Sequence, residues 1–267
     1  MNNIFALAEK VLLSSSIEQK LSLTADAFAL LESASLDFTN NDQLLSIDQV
    51  CFPDKPELIP PQKMPRRRLG TDKGRCAFIH AIAHIEFNAI HLAWDMLYRF
   101  RGLPEQFYID WLIVAHDECR HFLMLNNHLQ TLDCTYGDLP SHDSLWVMAV
   151  RTETDLLARL SLVPRYLEAR GLDVTPAMLK KLHNVNDTET AKILDIILEE
   201  EVSHVEFGSK WLNYVCEQQN LSSVDVFFEK VKIYMKGQIR GPFNRELRLR
   251  AGFTEQELDQ LESLDVR

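Results

Sequence analysis

The sequence predicts an all-α protein, a four-helix bundle over residues 72–217 with additional helices N- and C-terminal to it. Three observations carry that expectation. Apolar residues recur three and four apart through the stretch, and no run alternates with the period of two that a half-buried strand requires. Two segments, Asp117-Glu118-Cys119-Arg120-His121 and Glu200-Glu201-Val202-Ser203-His204, repeat a Glu-x-x-His step with an acid in front. Each step lies in an apolar helical stripe: Trp111, Val114, Phe122, Leu125 and Leu129 around the first, and Leu194, Ile197, Val205 and Leu212 around the second.

Residues 4–33 read as one or two helices, with Ser14-Ser15-Ser16 as a break and N-cap. From Cys51 onward, Pro53, Pro56, Pro60, Pro61 and Pro65 exclude regular helix and leave an extended arm, expected to lie on the bundle. Arg66-Arg67-Arg68 follows, read as a solvated or carboxylate-pairing stretch. The first bundle helix is expected from Asp72 to Arg101, ending near Gly102, and Pro104 opens the second, which runs to Leu132. Residues 135–140 form a turn-rich crossover. The third helix is expected from His142 to Arg170, bent where Pro164 removes a backbone donor. Gly171, Asp173 and Pro176 read as an interruption before a short helix that turns near Asn186. The fourth helix runs from Asp187 to Cys216, another from Val224 to Lys236, and Thr254-Glu255-Gln256-Glu257 caps a last one. Residues 1–71, 72–217 and 218–267 therefore read as N-terminal helices with an arm, the bundle, and a C-terminal helical extension.

Residues three apart share a helix face, so Glu118 with His121, and Glu201 with His204, point together into their apolar stripes. Buried carboxylates need compensating charge, and two sites of one pattern are served most simply by metal ions. In bundles that hold a pair of metals, two helices each give a Glu and the other two each give Glu-x-x-His. Glu86 stands upstream of Glu118 among Ile79, Ile82, Ile90, Ala93 and Leu97. Glu168 precedes Glu201 by the same interval to within one position, so the chain reads as two matching half-sites. Glu153, flanked by Trp146, Val150, Leu157 and Leu160, is the rival, but it stands too far before Glu201 and breaks that symmetry. The candidate metal ligands are thus Glu86, Glu118, His121, Glu168, Glu201 and His204. Carboxylate and imidazole donors without thiolate suit iron or manganese better than structural zinc. Asp117 and Glu200 are placed to accept the outer N–H of a metal-bound imidazole, Asp117 from His204 and Glu200 from His121. His80, His84 and His91 share another face of the first helix around Phe87, read as polar contacts with neighbouring helices or the arm, with a pocket role as the alternative.

The formal net charge of −11 argues against general nucleic-acid or anionic-membrane binding. Five cysteines without a CxxC read as reduced thiols, and Cys119 points to a face neighbouring that of the ligands. No stretch reaches the ~18 apolar residues of a membrane span, and the N-terminus lacks a secretory signal pattern, so a cytoplasmic location is expected.

Several segments carry a resemblance: His80-Ala81-Ile82-Ala83-His84-Ile85-Glu86, Asp117 to Phe122, Leu167 to Asp173, Glu201 to Val205, and Gly241 to Arg245 followed by Ala251-Gly252-Phe253. Together they resemble the ferritin-like superfamily of di-iron carboxylate proteins and, more narrowly, a bacterial ferritin-like family of unknown function. The chain is more distantly similar to tRNA 2-methylthio-adenosine hydroxylases, whose third-helix ligand sits in a Glu-Ala-Arg context; this favours Glu168 over Glu153. The resemblance implies a ferritin-like bundle holding two metal ions, iron before manganese, with Glu118 and Glu201 bridging. The function expected of such a site is an oxygen-activating oxidoreductase or hydroxylase acting on an organic small molecule with dioxygen. Iron-oxidising storage or peroxide scavenging is the alternative, and a non-catalytic helical binding protein the third reading. The arms favour a monomer or dimer over a many-subunit shell. A tRNA substrate has only Arg66–Arg68 and the basic residues of 240–250 in its support. A mouth to the metals is expected on the third-helix side, where Arg165 or Arg170 would meet a polar or anionic group unless they pair with surface acids.

Overall fold

The computed structural model describes residues 2–40, 44–64, 69–236 and 239–265; the Arg66-Arg67-Arg68 stretch and Pro65 lie outside them. Among the described residues the protein is all-α, with eleven α-helices and no strand. The chain forms two compact units, Met1–Val150 and Arg151–Arg267.

In the first unit, α1 (Ile4–Leu13) and α2 (Ile17–Glu32) separate at the serines, where the Ser16 hydroxyl accepts from the Gln19 amide. The centre is a hairpin of α3 (Asp72–Arg99) and α4 (Glu105–Gln130). Thr71 caps α3, and Gly102 makes the turn with a φ of 77°, a left-handed conformation that costs glycine little. From Phe78 to Tyr98 nearly every residue of α3 is buried, because α1 and α4 pack against it and the arm lies along it. One window of α3 has the length and hydropathy of a membrane span, and 83% of that window is buried inside the protein. Several polar groups on this helix are paired. Asp95 takes the Arg99 guanidinium at 2.5 Å, and the Trp94 indole donates to Thr24 on α2 at 2.9 Å.

The proline-rich arm is extended apart from two short 3₁₀ turns, Ile47–Gln49 and Pro61–Lys63. Its amides make the hydrogen bonds that a helix would have internalised. Cys51 N–H donates to Leu12 O at 2.8 Å, Leu45 N–H to the Tyr98 hydroxyl at 2.9 Å, and Ile59 N–H to Ser141 O at 2.8 Å. Helix α5 (Ser144–Arg151) ends the unit.

The second unit departs most from the sequence reading. The third helix, expected in one piece from His142 to Arg170, is broken between α5 and α6 (Leu156–Leu162), where Asp155 caps the new start by accepting from Ala158 N–H. Pro164 does not simply bend the helix. The chain widens into a π-helical turn, Val163–Glu168, which absorbs the missing donor, and continues as α7 (Ala169–Asn184) straight through Gly171 and Pro176. The expected interruption is absent because Asp173 anchors this stretch. Its carboxylate takes Arg248 through two bonds of 2.8 Å, Arg170 at 2.9 Å and the Asn244 amide at 2.9 Å. The turn does fall at Asn186, with a φ of 56°, and α8 (Thr188–Gln218) returns along α7. Helices α9 (Ser223–Met235), α10 (Arg245–Arg250) and α11 (Glu255–Ser263) complete the unit; α11 starts with the capping box of Thr254 and Glu257, whereas the short α10 had no sequence signal beyond its basic residues.

Gly208 on α8 faces the π-helical turn. A Cβ at that position would lie 2.6 Å and 2.7 Å from the ring carbons of Pro164, which cannot swing away. Gly171 in α7 has nothing within 4 Å of such an atom. Alanine gains up to about 1 kcal/mol over glycine in a helix, while overpacking a rigid contact costs about 1–3 kcal/mol. Urea unfolding should therefore separate the two: Gly171→Ala stabilises the protein, and Gly208→Ala destabilises it. Equal gains from both would show that the Pro164 contact is not tight.

Candidate metal centre

The α3–α4 hairpin places its acids by register. Glu86 lies as far before Arg99, the end of α3, as Glu118 lies after Glu105, the start of α4. Antiparallel helices of equal rise therefore bring the two to one height. Glu86, Glu118 and His121 are 4%, 1% and 0% exposed, and each offers a ligand atom within 4.8 Å of the others. His121 Nδ1 is 3.1 Å from a Glu86 oxygen and 3.4 Å from a Glu118 oxygen. Phe87 and Phe122, their ring centroids 5.2 Å apart, are the neighbours in sequence of Glu86 and His121. Two carboxylates and an imidazole, buried together, could hold a metal ion.

Burial also sets the charge of the cluster. Loss of hydration, then the nearby Glu118, raise the Glu86 carboxyl to about 7 despite His121. Burial alone would lower His121, but the carboxylates of Glu118 and Glu86 outweigh it and lift the imidazole to about 11. The metal-free cluster thus holds protons near neutral pH that a cation would displace. Cys119, between the two ligand candidates in sequence, is turned away: burial raises its thiol to about 12, too high for a nucleophile or a ligand at neutral pH. Asp117 is ion-paired with Arg120 at 3.2 Å.

In the second unit, Glu201 and His204 lie one turn apart on α8, with His204 Nδ1 3.7 Å from a Glu201 oxygen. His204 is fully buried, and Glu201 Oε2 is buried without a hydrogen-bond partner. Glu168 is the last residue of the π-helical turn and is half-buried. Glu153, its rival, lies in the turn between α5 and α6. Glu200 is half-buried on α8.

The arginines expected at a third-helix mouth are engaged elsewhere. Arg165 is 2% exposed; it donates to Ser209 at 3.0 Å and to Glu257 at 2.8 Å, and its guanidinium lies 4.3 Å from the centre of the Phe253 ring. Arg170 donates to Asp173 and to Pro242 O. The pocket of the first unit is instead lined by the arm, α3 and α5, including residues the sequence reading passed over: Asn88, Tyr136 and Trp146. Asn88 was legible as an amide set one turn after His84 in an apolar helix; Tyr136 and Trp146 carried no such signal.

Glu86 binds its proton more tightly when folded than when unfolded, so its stabilising effect is complete below pH 4.5 and lost as pH rises through about 7. The rise from 4.5 to about 7 corresponds to roughly 3 kcal/mol. His84 and His91, both lowered by burial, act in the opposite sense, so the comparison must isolate Glu86. In chelator-treated protein, Glu86→Gln should gain on the wild type by roughly 3 kcal/mol between acidic and mildly alkaline pH in urea unfolding. A constant difference across that range would place the proton elsewhere.

The chain matches the family described as "Protein of unknown function (DUF455)" over residues 13–259. It is 43% identical over 215 residues to an uncharacterized protein of Haemophilus influenzae, in an alignment covering 78% of this chain and 75% of that relative. No solved structure matches it. A match that spans residues 13–259 of a 267-residue chain leaves little outside it, and the protein belongs to the DUF455 family of proteins of unknown function.

Proposed function

We propose that this protein is a ferritin-like di-metal carboxylate oxidoreductase, in which Glu86, Glu118 and His121 and their counterparts Glu168, Glu201 and His204 each supply half of the ligands for two metal ions. The buried cluster of Glu86, Glu118 and His121 carries the reading, since two carboxylates and an imidazole converge inside an otherwise apolar hairpin. The Glu201 oxygen buried without a hydrogen-bond partner in the second Glu-x-x-His step supports the same assignment. Iron is favoured over manganese by the di-iron resemblance. When bound, a pair of such metals supplies electrons to dioxygen for oxidation of an organic molecule.

The residues of the chain then have separable tasks. Glu86 and His121 would give up their protons on loading. Burial keeps the Cys119 thiol protonated, which slows its oxidation. Asp117 and Glu200 would orient the imidazoles by accepting their outer N–H groups. The substrate in this reading is a small organic molecule met in the cytoplasm by a monomer or dimer, and the acidic balance disfavours tRNA.

Protein purified without chelator and loaded with Fe(II) under anaerobic conditions should carry about two metal ions per chain by elemental analysis, the number a paired-metal bundle holds. The Glu118→Ala, Glu201→Ala double variant should carry none while keeping its helical circular dichroism. Full metal content in the double variant would overturn the ligand assignment. Oxygen-electrode traces test the reaction class: consumption of about one dioxygen per loaded pair of metals fits an oxidoreductase that activates it, and sustained consumption with many added Fe(II) per chain would replace that reading with storage.

A further inference from the structure

The first unit has a pocket that the carboxylate cluster does not use, with a volume of about 280 Å³. It lies between α3, the proline-rich arm and α5. His84 and Asn88, which line it, flank Glu86 at two positions on either side. Two positions amount to just over half a helical turn, so the pocket and the carboxylates occupy opposite faces of α3. Phe52, Phe87 and Trp146 supply apolar walls, and the Phe52 and Trp146 rings meet edge to face at 5.1 Å. The exposed Lys55 and Asp143 mark the way out to solvent.

The hydrogen bonds inside the pocket leave one acceptor over. His84 Nδ1 lies 2.8 Å from the Tyr136 hydroxyl, and Nε2 lies 3.0 Å from Asn88 Nδ2 and 3.1 Å from His142 O. The Asn88 amide nitrogen donates to His84 O at 2.8 Å, a carbonyl that only the NH₂ group can meet, so the orientation of the amide is settled. Among the described residues nothing donates to Asn88 Oδ1, although Asn88 is 4% exposed and lines the pocket.

We propose that this pocket binds a flat heteroaromatic molecule of one or two rings, held against Phe52, Phe87 and Trp146, with a ring or exocyclic N–H donated to Asn88 Oδ1. Aromatic walls select planar ligands through stacked and edge-to-face contacts. The volume sits near the lower end of the range for ligand pockets, which limits the guest to a small ring system. An acceptor desolvated by the guest and left unmet favours a donor over its shape-matched analogue by roughly tenfold.

The test uses full-length, chelator-treated protein, so that a failure of the metal assignment does not affect it. Binding of 5-fluoroindole and of 5-fluorobenzothiophene, which has the same outline without the N–H, is followed by ¹⁹F NMR titration. Saturable binding of the indole, roughly tenfold or more tighter than its sulfur analogue, is expected. Asn88→Leu should abolish that preference. Val150→Trp, at an exposed lining position, should weaken both probes while leaving the thermal melt unchanged. Equal affinity of the two probes for the wild type, absence of saturation, or binding that survives Val150→Trp would each overturn the proposal. The probe pair on the wild type and the Val150 variant keep it testable if Asn88→Leu does not fold.

Discussion

The energetic constraint on the first unit is the burial of two carboxylates in a hairpin that is otherwise apolar. An uncompensated carboxylate taken out of water is costly enough to shift its proton equilibrium rather than remain charged. Glu86 and Glu118 face one another across α3 and α4 with His121 as the nearby imidazole. The rest of the unit keeps them in place. Gly102 sets the turn that levels the two helices, α1 and α2 cover their outer faces, and the arm closes α3 by spending its own amides on Leu12, Tyr98 and Ser141. Loosening any of these would let water reach the acids and remove the burial that raises the Glu86 carboxyl.

The second unit solves a different problem by a similar device. Here arginines are buried, and acids are brought to them. Arg165 meets Glu257 and Arg248 meets Asp173, and both guanidinium groups stack near Phe253. Buried ion pairs of this kind add little net stability over apolar packing, but losing one partner is expensive. They consequently fix which way the chain runs. Asp173 carries α7 through a proline that would otherwise end it, and Glu257 serves both Arg165 and the cap of α11.

What was legible in the sequence was the part governed by local rules. Ser16, Thr71 and Thr254 announce helix starts, Gly102 and Asn186 announce turns, and the helical stripes locate α3, α4 and α8. The grouping of Glu86, Glu118 and His121 was legible for the same reason, because helix register alone fixes their height. The third helix was misread because its course depends on partners far away in sequence. Arg248, which anchors Asp173, belongs to α10, and Gly208, which accommodates Pro164, belongs to α8. Arg165 and Arg170, read either at a mouth or as paired with acids, are paired: Arg165 with the distant Glu257 and Arg170 with Asp173.

Helix α3 shows why composition understated this chain. Read by hydropathy it is a uniformly greasy segment, long enough to resemble a membrane span. Its polar residues are nevertheless distributed to two opposite faces, Glu86 on one and His84 with Asn88 on the other. A surface helix cannot do this, because one of the two faces would be solvated and its polar groups satisfied by water. Only a helix buried on all sides turns each polar position into a defined demand for a partner. For His84 that demand is met by Tyr136 and His142, for Asp95 by Arg99, and for Glu86 by His121. Chemistry in the first unit is therefore concentrated along one central helix, whose apolar background is what makes each isolated polar side chain selective.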